Sequence, residues 1–177
     1  MKLIILDRDG VINEDSAHYI KSPAEWKAIP GSLEAIARLT QSGYRVVVAT
    51  NQSGIGRGLF DMDTLNAMHE KMHKTTVALG GRIDAVFFCP HTAESGCECR
   101  KPKSGMFRRI AETMNVDLKN VPSVGDSLRD LQAGAGVGCQ TILVRTGKGV
   151  DTEAKGGLPD GTRVFDDLAA FVEDLLP

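Results

Sequence analysis

Asp7 and Asp9 stand two residues apart in Asp7-Arg8-Asp9-Gly10-Val11, directly after the apolar run Leu3 to Leu6. In extended chain, residues two apart point to the same side, so two carboxylates would face one cavity. Such a pair can divide labour: one attacks phosphorus or binds a cation, and the other gives a proton to the leaving oxygen. Gly10 lets the chain turn away. The same spacing also arises where aspartates only cap a turn, so the rest of the chain has to decide. Thr50-Asn51-Gln52-Ser53 follows a second apolar run and offers hydroxyl and amide donors for phosphate oxygens. Gly125-Asp126-Ser127-Leu128-Arg129-Asp130 follows a later one. There Asp126 suits an oxygen-liking cation such as magnesium, while Asp130 is placed to orient neighbours or cap backbone donors. Lys101, stiffened by Pro102, is the cation best placed to neutralise a phosphoryl group in transfer.

A second cluster carries different chemistry. Cys89-Pro90-His91 followed by Cys97-Glu98-Cys99 supplies three thiolates and an imidazole, the ligand types of a closed tetrahedral zinc site. The residues between them, Thr-Ala-Glu-Ser-Gly, are too polar for a core strand. In a reducing compartment this crowding reads as metal rather than disulfides. Zinc would close the loop 89–99 and fix Arg100 and Lys101 beside the carboxylates. Cys139 stands apart as a small core residue.

The elements that must position these groups follow from alternation along the chain. Apolar runs at Leu3 to Leu6, Val46 to Ala49, Ile83 to Phe88, Val121 to Val124 and Thr141 to Val144 read as strands. Helix-like stretches fall at Ser32 to Thr40, Thr64 to Leu79, Gly105 to Met114, after Ser127, and from Asp166. This is the pattern of a doubly wound, mostly parallel α/β sheet flanked by helices, whose ligands sit beyond the carboxyl ends of the strands. A single domain over 1–177 is expected. The polar, glycine-rich stretch Gly147 to Gly161 reads as a surface loop.

Composition excludes several classes. Lysine and arginine number 21 against 23 acidic residues, so no overall field draws nucleic acid or an anionic membrane. The apolar run before Asp7 is too short for a signal-peptide core or a span, which predicts a cytoplasmic protein. The glycine repeats Gly54 to Gly58 and Gly134 to Gly138 do not satisfy a nucleotide-binding fingerprint. His69 and His73, helically spaced, read as exposed helix surface, and Trp26 reads as a structural anchor.

The ordered set of D-x-D-G, strand-T-N, lysine and G-D-x-x-x-D resembles the haloacid dehalogenase superfamily of phosphotransferases over nearly the whole chain. That resemblance implies a magnesium-dependent phosphatase with Asp7 as nucleophile, Asp9 as acid then base, and Thr50 and Lys101 on the phosphoryl oxygens. Magnesium would be held by Asp7, Asp126 and the Asp9 backbone carbonyl. The short segments between motifs imply a capless member. The zinc loop followed by Arg100-Lys101-Pro102-Lys103-Ser104-Gly105-Met106 resembles the subfamily of heptose-bisphosphate and histidinol-phosphate phosphatases. By that likeness Asp15 to His18 and Thr50, Asn51, Gln52 and Ser53 line a sugar pocket, and Arg100 recognises substrate. The implied partner is a small sugar bisphosphate, a heptose losing its 7-phosphate on the way to nucleotide-activated heptose, with the enzyme a monomer. Ser127 departs from relatives that carry lysine there. Histidinol phosphate is the alternative substrate, and a zinc-stabilised binding module with structural aspartates is the alternative class.

Overall fold

The computed structural model describes all 177 residues. Six strands form one sheet: β1 (Lys2–Leu6), β2 (Tyr44–Asn51), β3 (Ala85–Cys89), β4 (Pro122–Gly125), β5 (Gln140–Val144) and β6 (Arg163–Phe165). Their order is β3-β2-β1-β4-β5-β6, and every pairing is parallel. The intervening helices are α1 (Ser32–Gln41), α2 (Met62–Ala78), α3 (Gly105–Met114), α4 (Leu128–Ala135), α5 (Gly149–Lys155) and α6 (Leu168–Leu175). No helix is long and apolar enough to cross a membrane.

The central strands are apolar on both faces because helices cover both. Ile4, Leu6, Val46 and Val48 point into a cluster of 22 buried residues shared with Leu33, Ile36 and Leu39 of α1, Leu65, Met68 and Met72 of α2, and Phe171 of α6. Their neighbours Leu3, Ile5, Val47 and Ala49 point the other way, into 11 buried residues that include Met106, Phe107 and Ile110 of α3. Trp26 anchors the larger cluster, and Cys139 is buried in the smaller. The chain progresses outward from β1 to β3, then returns to the opposite side of β1 to begin β4. This reversal leaves a crevice beyond the ends of β1 and β4, and Asp7 and Asp126 sit there.

Two elements depart from expectation. The stretch 147–161 is not all loop: it contains α5, whose flanking glycines mask it and of which only Gly149 and Thr152 are buried. The edge strand β6, three residues long, is too short for a period to show.

Candidate active site

The site is built on strand ends. Asp7 donates its backbone N–H to the Val124 carbonyl at 2.9 Å, which fastens the end of β1 to β4. Gly10 has φ +87°, and a side chain there would overlap the Asp126 carboxylate. The turn therefore has both a conformational and a steric reason for glycine. The Thr146 hydroxyl donates to the Gly10 carbonyl and the Lys148 N–H to Asp126 Oδ2 at 2.9 Å, closing the far wall.

Lys101 reaches into this crevice although its side chain is only 2% exposed. Its ammonium donates to Asp7 Oδ1 at 3.0 Å, Asp130 Oδ1 at 2.7 Å and the Ala49 carbonyl at 2.8 Å, which occupies all three of its protons. Asn51 holds the Lys101 backbone from both sides. Its amide donates to the Lys101 carbonyl, and its carbonyl accepts from the Lys101 N–H, each at 3.1 Å. Asp130 in turn accepts from the Ser127 N–H and hydroxyl at the start of α4. It thus both caps the helix and holds the lysine.

Asp9 faces a different set of partners. Its Oδ1 accepts from Arg8 Nε at 3.0 Å and Asn13 Nδ2 at 2.8 Å, and its Oδ2 from Gln52 Nε2 at 3.1 Å. The Gln52 amide also donates to Thr50 Oγ1 at 2.9 Å. Asn51 and Gln52 therefore spend their side chains on Lys101 and Asp9, while still lining the cleft.

The carboxylates divide electrostatically. Burial, then the charge of Asp130, pushes Asp7 up to about 7. Burial and the charges of Asp7 and Asp130 push Asp126 up to about 9. Burial would raise Asp130 too, but the ammonium of Lys101 holds it down to about 2. Burial likewise presses upward on Asp9, yet Arg8, Asn13 and Gln52 keep it below the usual range. Carboxylate oxygens of Asp7, Asp126 and Asp130 lie within 4.8 Å of one another. Lys101 is the one cation inside that group and is already shared by two of them, so Asp7 and Asp126 have charge left for a divalent ion. All-oxygen donors of this kind suit magnesium. The Asp9 carboxylate is turned toward Arg8, outside that group.

The cysteine loop begins where β3 ends. Cys89 Sγ lies 3.1 Å from Cys99 Sγ, 3.7 Å from Cys97 Sγ and 3.4 Å from His91 Nδ1, and none of the cysteines is paired in a disulfide. A tetrahedron with Zn–S bonds of about 2.3 Å has S–S edges of about 3.8 Å, which the Cys89–Cys97 separation meets and the 3.1 Å Cys89–Cys99 separation would open to reach, so three thiols and an imidazole gathered in this way fit zinc. Burial and the neighbouring thiols push Cys89 up to about 12, and a metal would relieve that crowding by taking thiolates. Arg100 donates to the His91 carbonyl at 3.3 Å and is thereby tied to the loop.

These walls enclose a cleft of about 340 Å³ with only three hydrophobic residues among the 18 that line it, so its ligand is polar. Asp7, Asp9, Asp15, Thr50, Asn51, Gln52, Ser53, Arg100, Lys101 and Asp126 all contribute. His18 does not. Tyr19 takes a left-handed φ of 67° and bonds back to Ser16, which turns His18 out to solvent and brings Tyr19 into the lining instead. The sequence reading missed Arg57, Arg129 and Lys148, which also line the cleft. The signal for Arg129 was present: a cation in the first turn of a helix opposes the helix dipole and calls for a reason. His69 also corrects the reading. It is not exposed but 8% accessible, with Nε2 at 3.2 Å from Nη1 of the fully buried Arg8. Burial, then the Arg8 charge, pushes it down to about 3.

Known proteins resemble this chain over nearly its whole length. The HAD-hyrolase-like family model matches residues 98–171. D-glycero-beta-D-manno-heptose-1,7-bisphosphate 7-phosphatase of Bordetella bronchiseptica is 63% identical over 99% of this chain and 98% of its own. The Pseudomonas aeruginosa protein of the same name is 55% identical over 98% and 97%. A crystal structure of the D,D-heptose 1,7-bisphosphate phosphatase from B. bronchiseptica, complexed with magnesium and phosphate, superposes with a TM-score of 0.98. It covers 99% of this chain and 98% of that one.

Proposed function

The chain belongs to the heptose-1,7-bisphosphate 7-phosphatase family of haloacid-dehalogenase-like hydrolases, and from that premise we propose that it removes the 7-phosphate of D-glycero-β-D-manno-heptose 1,7-bisphosphate. The product, heptose 1-phosphate, is an intermediate toward nucleotide-activated heptose. The observation that carries the reading is the asymmetry of Asp7. Its Oδ1 is held by Lys101 and by the Arg8 N–H at 2.8 Å, which leaves Oδ2 free to attack phosphorus beside Asp9.

Asp7 Oδ2 forms a bond to phosphorus as the bond to the sugar oxygen breaks, giving an aspartyl phosphate. Lys101 and the Thr50 hydroxyl stabilise the phosphoryl oxygens. Asp9 protonates the departing sugar oxygen, then takes a proton from the water that hydrolyses the aspartyl phosphate. Because Asp9 rests ionised, the proton it donates has to be drawn onto it by the negative charge of the entering phosphate. Asp7, the Asp9 carbonyl and Asp126 would hold magnesium, which when bound offsets the repulsion between nucleophile and phosphate. Cys89, His91, Cys97 and Cys99 would hold zinc and so keep Arg100 and Lys101 in place. Arg100 offers a guanidinium to the second phosphate. A monomer is the working unit of this reading, and unpaired cysteines with a phosphorylated substrate fit the cytoplasm.

The test is a phosphate-release comparison of heptose 1,7-bisphosphate with histidinol phosphate, the product being identified by phosphorus magnetic resonance. The heptose substrate is expected to give the higher kcat/KM and to keep its anomeric phosphate. Preference for histidinol phosphate, or loss of the anomeric phosphate, would overturn the substrate assignment while sparing the phosphatase.

A further inference from the structure

Between the reacting carboxylates, strand alternation sends the Arg8 side chain into the layer beneath α2, where it is fully buried. Its guanidinium has two hydrogen-bonded anchors: Nε on Asp9 Oδ1 and Nη1 on His69 Nε2, 61 residues away. Nη2 lies 2.9 Å from the same Asp9 oxygen but makes no hydrogen bond. Arginine keeps its protons, so His69 has to accept at Nε2 and carry its own proton on Nδ1. Asp9 is consequently lopsided. Oδ1 faces Arg8 and Asn13, whereas Oδ2 faces Gln52 alone and remains the oxygen open to a proton.

We propose that His69 is a positioning residue for proton transfer: by holding Arg8 against Asp9 Oδ1, it makes Oδ2 the oxygen that carries the proton. In the first step the P–O bond to the substrate breaks as the bond from Asp7 forms, and the proton on Asp9 Oδ2 passes to the departing oxygen. In the second, water attacks phosphorus as the bond from Asp7 breaks, giving a proton to Oδ2 and releasing inorganic phosphate. Without His69 the guanidinium can swing on its remaining anchor, and Asp9 loses the bias between its two oxygens. The inference rests on the proposed role of Asp9 but not on which sugar is bound.

The test uses leaving groups. An alkyl phosphate such as a sugar phosphate needs the proton, whereas p-nitrophenyl phosphate leaves as a stable anion. His69→Leu should lower kcat/KM on the sugar phosphate, which reports the steps through leaving-group departure, by roughly tenfold, a fraction of what general acid catalysis contributes. The kcat/KM on p-nitrophenyl phosphate should stay within about twofold, while kcat on both substrates also carries the shared hydrolysis step. His69→Gln, whose amide oxygen can accept from Arg8, should recover most of the loss. If His69→Leu does not fold, His69→Met, with no strong acceptor, takes its place. Equal losses on both substrates, no loss on either, or no recovery by glutamine would overturn the role of His69. An Asp9→Asn variant, with His69 intact, that loses kcat/KM equally on both substrates would instead overturn the assignment of Asp9 as the acid.

Discussion

Removing divalent metal should make the stability of this protein fall as pH rises, and magnesium should cancel the effect. Asp7 and Asp126 are pushed up to about 7 and about 9 from an ordinary 3.8. A group whose folded pKa is raised contributes its stability below the unfolded value and loses it as pH rises through the folded one. Asp130 and Asp9 are shifted down, so their contribution is lost only in acid. A scan begun at pH 5 therefore sees the first pair, together with buried His69, whose fall from 6.5 to about 3 makes stability rise with pH up to about 6.5. At about 1.4 kcal/mol per pH unit, the Asp7 carboxylate alone costs on the order of 3 kcal/mol between pH 5 and 7. For a chain of this size each kcal/mol moves the melting temperature by about 2–4 °C, so a fall of about 6–12 °C is expected. Asp126 loses as much again over pH 5–7, which the opposite contribution of His69 largely offsets, and it extends the decline toward pH 9. The assay is thermal melting in chelator-treated buffer from pH 5 to 9, repeated with magnesium. The zinc content is checked throughout so that only the carboxylate site is emptied. Magnesium binds the ionised carboxylates of the folded state and should flatten the curve. Asp126→Asn should remove the Asp126 share of the decline, most visibly above pH 7, without magnesium, leaving the share of Asp7, whose shift comes first from burial and then from Asp130. A metal-free wild type with level melting across this range, or a slope that magnesium leaves intact, would refute the account of the carboxylate cluster.

Asp7→Asn should abolish turnover and phosphoenzyme trapping while leaving the circular dichroism spectrum unchanged; residual single-turnover phosphorylation would remove the nucleophile assignment. Lys101→Met should lose turnover and about 3–5 kcal/mol of stability by denaturant titration, because it strands Asp130 and Asp7 without their buried cation. Unchanged stability would show that the lysine acts on substrate alone. Cys97→Ser should lower zinc content by elemental analysis and raise KM for the bisphosphate as Arg100 loosens; wild-type values for both would dismiss the zinc loop as a support. Gly10→Ala should weaken magnesium activation, measured as the half-saturating concentration, since its φ of +87° and the Asp126 carboxylate leave no room for a methyl group. Wild-type activation would mean that the turn can relax.

The parts of the site legible in sequence are those where local pattern and chemistry coincide. Asp7 and Asp126 could be placed because each follows an apolar strand directly. The clustering of Cys89, His91, Cys97 and Cys99 could be anticipated because four soft donors crowd into a polar loop. What escaped depended on contacts distant in the chain. The use of Asn51 as a clamp on Lys101 spans 50 residues, and the pairing of Arg8 with His69 spans 61. His69 sits at a helical position that periodicity alone cannot separate from surface. His18 was misjudged because the turn at Tyr19 depends on a left-handed residue that is not glycine. The helix α5 was hidden by the glycines around it.

The composition of the cleft has a consequence for inhibitor design. With so few apolar residues in its wall, a competitive ligand has little greasy surface to cover and must draw its affinity from charge and hydrogen bonds. Such compounds weaken in salt and cross lipid bilayers poorly. The cysteine loop offers a different handle. Cys97 and Cys99 are half-exposed, and a soft electrophile or a zinc-ejecting reagent that captured them would release the segment carrying Arg100 and Lys101. Blocking this enzyme is then more tractable through the thiols that hold the loop than through the polar cleft that the loop helps to build.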